Sequence, residues 1–172
     1  VRKLEAQGVR TIGVVRLVIS GESWYERTEQ ILGLRTGAPP AVEGACGGGH
    51  GHHGGHHSMA FFRLDTRSSF ALSSQGLAEA PEIGPILADR ARSLSRVPEK
   101  EDVLILAHGP GDDAENQRWI AAIDARAAEI RASLPFHRVE VLTLREDWPE
   151  KRKDAEQRVV DFMTRARSEG RR

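Results

Sequence analysis

The apolar run Val103-Leu104-Ile105-Leu106, opened by Asp102, passes through Ala107-His108-Gly109-Pro110 into the acidic segment Gly111-Asp112-Asp113-Ala114-Glu115. Such a run predicts a buried strand of a parallel sheet, and in open α/β sheets ligands gather just beyond the carboxyl ends of the strands. His108 therefore stands where the topology concentrates chemistry, and an imidazole there takes up a proton or holds a metal near neutral pH. Gly109 and Pro110 supply a tight turn. Asp112 and Glu115 have the spacing of an acidic capping box, so the default role of Asp112 and Asp113 is to cap the next helix and complement its dipole.

The same alternation extends along the chain. Thr11 to Ile19 is a continuous, largely β-branched run that predicts a strand buried on both faces, ending at Ser20-Gly21. Ser23 and Glu26 match a capping box for a helix carrying Tyr25, Thr28, Ile31 and Leu32 and stopping at Gly33. Ser69 to Leu72 reads as a short strand, and Ile83, Ile86, Leu87, Ala91 and Leu94 form one face of a helix that Pro81 opens. Ile120, Ile123, Ala127, Ile130 and Leu134 mark a long amphipathic helix ended by Pro135. Arg138 to Leu144 follows as a strand, and Ala155, Val159, Phe162 and Ala166 mark a closing helix. Strands alternating with helices predict an α/β fold, a parallel sheet flanked by helices on both sides.

Residues 36–59 replace this periodicity with Gly, Pro and His and are predicted to be a disordered insertion. Within it, His50, His52, His53, His56 and His57 place five imidazoles in eight positions, a density that chelates borderline divalent ions. A glycine-rich loop offers no fixed coordination geometry, so this cluster points to metal affinity and not to catalysis. The plain alternative is low-complexity sequence with incidental affinity for metals.

A chain of 172 residues suffices for one ordinary domain or two small lobes. Lys plus Arg equals Asp plus Glu at 25 each, and no basic stripe interleaves with aromatics, which argues against a nucleic-acid surface. No stretch approaches the roughly 18–20 apolar residues of a membrane span. Cys46, the only cysteine, forms no internal disulfide. Val1 to Gln7 reads as the end of a helix, so a preceding segment is expected, and a signal peptide within it is left open.

Val103 to Gly109 resembles the strand followed by His-Gly that opens the class II chelatases, the sirohydrochlorin cobaltochelatases and ferrochelatases of cobalamin and sirohaem synthesis. Val14 to Gly21, followed by a helix, resembles their internal Val-Val-Pro-Leu-Phe-Leu strand, with Arg16 in place of the proline. Phe70 to Arg92, with Leu77, Pro81, Ile86, Leu87 and Arg90, resembles the strand and helix that close a lobe. The likeness covers most of the chain outside residues 36–59. It implies a three-layer αβα fold in which residues 1–96 are the second half of one lobe and residues 97–172 the first half of the next. It further implies a cytoplasmic lyase inserting a divalent metal into a tetrapyrrole, with Co²⁺ favoured over Fe²⁺ and Ni²⁺. No organic cofactor is expected, and the implied assembly is a homodimer or pseudo-dimer.

By this resemblance His108 matches the family's first catalytic histidine, acting as base and metal ligand. The second histidine is expected after the strand at 11–19, where this chain has Ser20-Gly21-Glu22-Ser23-Trp24. Trp24 occupies that place and can stack on a flat macrocycle, while Glu22 offers a substitute carboxylate for the ion or proton. Arg16 and Arg145 are assigned to the substrate's carboxylates. Structural alternatives stand beside each: Glu22 complementing a helix dipole, Trp24 wedged between helix and sheet, Arg16 paired inside the protein. His137, at the start of a strand, receives no role. The competing functions are a metal-binding or metal-delivery protein without turnover, and a silent lobe that completes a dimer.

Overall fold

In the computed structural model, which describes residues 1–41 and 61–172, alternating strands and helices produce two parallel strand pairs. Each lies within its own unit, Val1–Gln75 and Gly76–Arg172. The expected metal ligands His50, His52, His53, His56 and His57 lie outside the described residues, as does Cys46. Among the described residues, no helix is long and apolar enough to cross a membrane.

The first unit comprises α1 (Arg2–Glu5), β1 (Thr11–Val14), α2 (Tyr25–Leu32) and β2 (Ser69–Leu72). β1 and β2 pair in parallel, from Thr11 opposite Ser69 to Val14 opposite Leu72. The strand expected to reach Ile19 stops at Val14 because the next backbone donor leaves the ladder: the Arg16 N–H donates to Ser73 Oγ at 2.9 Å. Val15 and Leu17 are 77% and 82% exposed, so this β-branched run is not buried on both faces. The predicted Ser23/Glu26 box does not form either. Trp24 is the N-cap of α2, in the left-handed region at φ 57°, and makes no side-chain cap bond. Gly33 ends the helix as expected, at φ 75°, where glycine is favoured.

Among the described residues every buried apolar side chain belongs to the second unit; the first buries only Ser20, Ser23 and Ser68. Polar bonds hold the first unit instead. Glu5 Oε1 accepts from Thr66 Oγ1 at 2.7 Å, the Arg67 N–H at 2.7 Å and the Ser68 N–H at 3.0 Å. The Thr66 bond is the leading reason that the Glu5 carboxyl is lowered to about 2.

The second unit contains α3 (Ile83–Leu94), β3 (Asp102–Ala107), α4 (Asp113–Ser133), β4 (Arg138–Thr143) and α5 (Pro149–Ser168). Short 3-10 turns lie at Leu77–Glu79 and Pro98–Lys100. β3 and β4 pair in parallel, from Asp102 opposite Arg138 to Ala107 opposite Thr143, with α4 as the crossover. α4 buries Trp119, Ile123, Ala127 and Ile130, a stripe of helical period, and packs on β4. Asp112 caps it by accepting the Glu115 N–H at 2.7 Å, one half of the predicted box, while the Glu115 carboxylate accepts from Trp119 Nε1 at 3.2 Å. α5 starts on Pro149 and buries Ala155, Phe162 and Ala166. α3 packs against α4, so the stretch 77–96 that the family likeness groups with the first half lies in the second unit. β3 is less covered than an interior strand, since Leu106 is 46% exposed.

Ile130 is 1% exposed and Ala127 is 0% exposed, so the α4 stripe has no slack in either direction. Ile130→Ala is expected to cost about 2–5 kcal/mol by leaving a cavity. Ala127→Leu is expected to cost about 1–3 kcal/mol by overpacking, both read from urea midpoints.

Candidate functional site

The carboxyl ends of β3 and β4 open into two neighbouring loops, residues 108–112 and 144–148, and these carry the candidate site. His108 follows β3 directly. Its Nδ1 lies 3.0 Å from Glu146 Oε1 and its Nε2 lies 3.1 Å from Asp147 Oδ2. Two carboxylates on two ring nitrogens require both nitrogens to donate, which is the imidazolium form. His108 is accordingly raised above its ordinary value of 6.5, chiefly by the hydrogen bond to Glu146 and against the opposing cost of burial. Glu146 is lowered in turn, first by the His108 bond. The indole of Trp148 tilts beside the imidazole, with ring centroids 6.0 Å apart at 52°. The His108 side chain remains 42% exposed, so the cluster is open to ligands.

Arg145 builds this arrangement. Its N–H donates to the His108 carbonyl at 2.6 Å, its Nε to the Pro110 carbonyl at 2.8 Å, and its Nη2 to the Gly111 carbonyl. Nη1 reaches Asp113 Oδ1 at 2.7 Å, and Lys151 Nζ binds the same carboxylate through both oxygens at 2.7 Å. Those two cations hold Asp113 below its ordinary value, the Lys151 bond leading. Arg145 is 9% exposed and its guanidinium is committed to the adjoining loop, the arrangement of a clamp on the protein's own backbone. Gly109, at φ 83°, permits the close approach, because a Cβ there would come 2.6 Å from Thr143 Cβ. Asn116 lies against the same turn, buried, with its Oδ1 lacking a hydrogen-bond partner.

The other expected site residues belong to the first unit. Arg16 sends Nε to the Ser73 carbonyl at 3.0 Å, Nη1 to Ser23 O at 2.7 Å and Nη2 to Gly21 O at 2.6 Å, and it lies 4.7 Å over the Tyr25 ring. It thus serves as an internal clamp, as the structural alternative held, although with carbonyls and not with an acid. Glu22 is exposed. Trp24 is 58% exposed, with the Arg27 guanidinium 5.3 Å over its ring, so it is not wedged between helix and sheet. The structure therefore brings His108 and Arg145 together, and assigns Arg16, Glu22 and Trp24 to the other unit.

Glu146, Asp147 and Trp148 are site residues that the sequence reading passed over. Their signal was present: they follow the second strand of the βαβ unit, the same topological position that singled out His108. Comparison of the chain with protein-family models, curated proteins and solved structures finds no match.

The His108–Glu146 pair makes the site pH-sensitive in a stated direction. The raised His108 contributes stability fully present below about pH 6.5 and lost as pH rises through its folded value. The lowered Glu146 contributes stability present above about pH 4.5 and lost as pH falls through its folded value. Both contributions operate between those limits. In Glu146→Gln, the His108 titration followed by NMR is expected to move down toward 6.5, while substitution of Glu150 leaves it in place.

Proposed function

We propose that this protein handles a divalent metal at His108 and transfers it into a tetrapyrrole, as a chelatase of the sirohydrochlorin type with Co²⁺ as the favoured substrate ion. The observation that carries this reading is the imidazole clamped between two carboxylates beyond adjoining strand ends. In the metal-free site, two carboxylates and one imidazolium leave a net charge of −1. A divalent ion that displaces the proton from one ring nitrogen meets that nitrogen and the carboxylate facing it, while the second carboxylate holds the opposite N–H as an outer partner, an N/O pair suited to Co²⁺, Ni²⁺ or Zn²⁺ with water completing the shell.

Insertion forms bonds between the ion and the ring nitrogens, and two pyrrole N–H protons leave. With the ion passed on, His108 and a flanking carboxylate recover their capacity for those protons and release them to water. Trp148 supplies an aromatic edge beside the imidazole, against which a flat ring can pack. The three-layer lobe organisation of the chelatases is the finer fold reading that accompanies this proposal, with each strand pair as part of a lobe. Assembly into a dimer is proposed with it.

The five histidines of residues 50–57 favour a second reading, metal capture or delivery without turnover. The two separate experimentally. Incubating the full chain with sirohydrochlorin and Co²⁺ is expected to convert the ring's absorption spectrum faster than buffer does. His108→Ala is expected to lower that rate by roughly 10²–10⁴-fold, the range for a lost acid–base group. Equal rates with wild type, His108→Ala and buffer would reject catalysis. Tight Co²⁺ binding abolished by removing residues 47–57, with no turnover in the intact chain, would establish the delivery reading.

Because the His108 proton must leave, Co²⁺ affinity is expected to rise with pH until pH passes the raised folded value of His108, then level off. Calorimetry in buffers of different ionisation heat should register the proton released below that point.

A further inference from the structure

The opposite end of β3 carries a second cluster with ligand chemistry. Asp102 opens β3, His137 immediately precedes β4, and Glu169 caps α5. One ligand atom from each lies within 4.8 Å of the other two. His137 Nδ1 is 3.0 Å from Asp102 Oδ1 and 3.9 Å from Glu169 Oε2. A tetrahedral ion with bonds of about 2.0–2.1 Å needs ligand atoms about 3.3 Å apart, a value these two separations bracket.

Burial supplies an independent reason to expect a ligand. The Asp102 side chain is 1% exposed, and its Oδ2 is buried without a hydrogen bond. Its nearest cation is Arg138 Nη1 at 3.4 Å, itself buried without a hydrogen bond. A carboxylate removed from water demands compensation, and this one has the Arg138 ion pair at Oδ2 and His137 alone at Oδ1. Arg138 Nη2 meanwhile donates to both oxygens of Glu169, at 3.1 and 3.2 Å, and Arg171 Nε stands 3.5 Å from Oε2. Ligating carboxylates characteristically carry such outer donors, which orient them.

We propose that Asp102 Oδ1, His137 Nδ1 and Glu169 Oε2 form a second divalent-cation site, of Zn²⁺ type by its N/O ligand set. His137 is 35% exposed and Glu169 39% exposed, leaving a side open to water as the fourth ligand. With Asp102 at the start of β3 and His108 just past its end, the two sites are separated by a strand of roughly 17–20 Å. The proposed ion ties the starts of both strands to the end of α5, which makes its role structural. It binds only the folded arrangement of three separate segments, so it raises stability by mass action.

The test uses the full chain and Zn²⁺ alone. The His137 ring resonances, assigned by their absence in His137→Gln, are expected to shift on Zn²⁺ addition in wild type and in His108→Ala alike. In the His108→Ala background, the unfolding temperature is expected to rise with Zn²⁺ and to lose that rise when His137→Gln or Glu169→Gln is added. Asp102, the buried member, is left intact so that the variants fold. Unmoved His137 resonances would overturn the proposal, as would a Zn²⁺-dependent rise that survives both substitutions. A rise abolished by His108→Ala and kept in His137→Gln would place the stabilising ion at the other end of the strand, and would also overturn it.

Discussion

The Arg145 guanidinium holds the second unit's strand-end loops together where His108 meets its partners. The residue follows β4 by two positions, takes a left-handed φ of 51°, and binds the carbonyls of Pro110 and Gly111 across the sheet. For a non-glycine residue that backbone conformation costs about 1–2 kcal/mol. Three directions of a buried guanidinium, each satisfied by a carbonyl or carboxylate, offset the strain. The consequence lies in the next residues: with Arg145 turned inward, Glu146 and Asp147 emerge on either side of the imidazole. Lysine could not do the same, because one ammonium cannot span Pro110, Gly111 and Asp113 in a planar fork.

The first unit uses a related device under different circumstances. Arg16 also follows a strand by two positions, and it also binds the carbonyls of the adjoining strand-end loop, at Ser73 and Ser74. There the clamp extends to Gly21 and Ser23, which fixes the approach to α2 and leaves Trp24 in its left-handed N-cap position. Since the unit buries no apolar side chain among the described residues, these hydrogen bonds and the Glu5 cluster carry organisation that packing supplies in the second unit. Each net hydrogen bond contributes about 1 kcal/mol, so order here rests on many small terms.

This division explains which parts of the fold were legible in the sequence. α4 and α5 were readable because their apolar stripes meet a real core, and periodicity is a record of burial. The Asp112 cap was readable because it depends on three residues of local spacing. Thr11 to Ile19 misled for the complementary reason: β-branched content marks strand preference, but Arg16 found better partners in carbonyls than in a ladder. Arg16 and Arg145 invited a substrate role by their charge alone, and only tertiary geometry tells a guanidinium that faces solvent from one occupied by backbone. The topological argument that placed His108 was sound and was applied to one strand only; β4 ends beside it, and Glu146 and Asp147 follow by the same rule.

The exchange proposed at His108 depends on the charges around it. Asp113 is already neutralised by Arg145 and Lys151, so neither cation competes for Glu146 or Asp147 through that carboxylate. Both acids lie just before Pro149, the first residue of α5, and the His108 bond is the leading cause that holds Glu146 below its ordinary value. The imidazole is then the group in the cluster that changes charge near neutral pH. The proposed ion would compete with the proton for one ring nitrogen and the carboxylate facing it, the other carboxylate holding the opposite N–H. In the proposed function, the carboxylates that raise the His108 pKa would also set the pH range in which a metal ion could replace the proton.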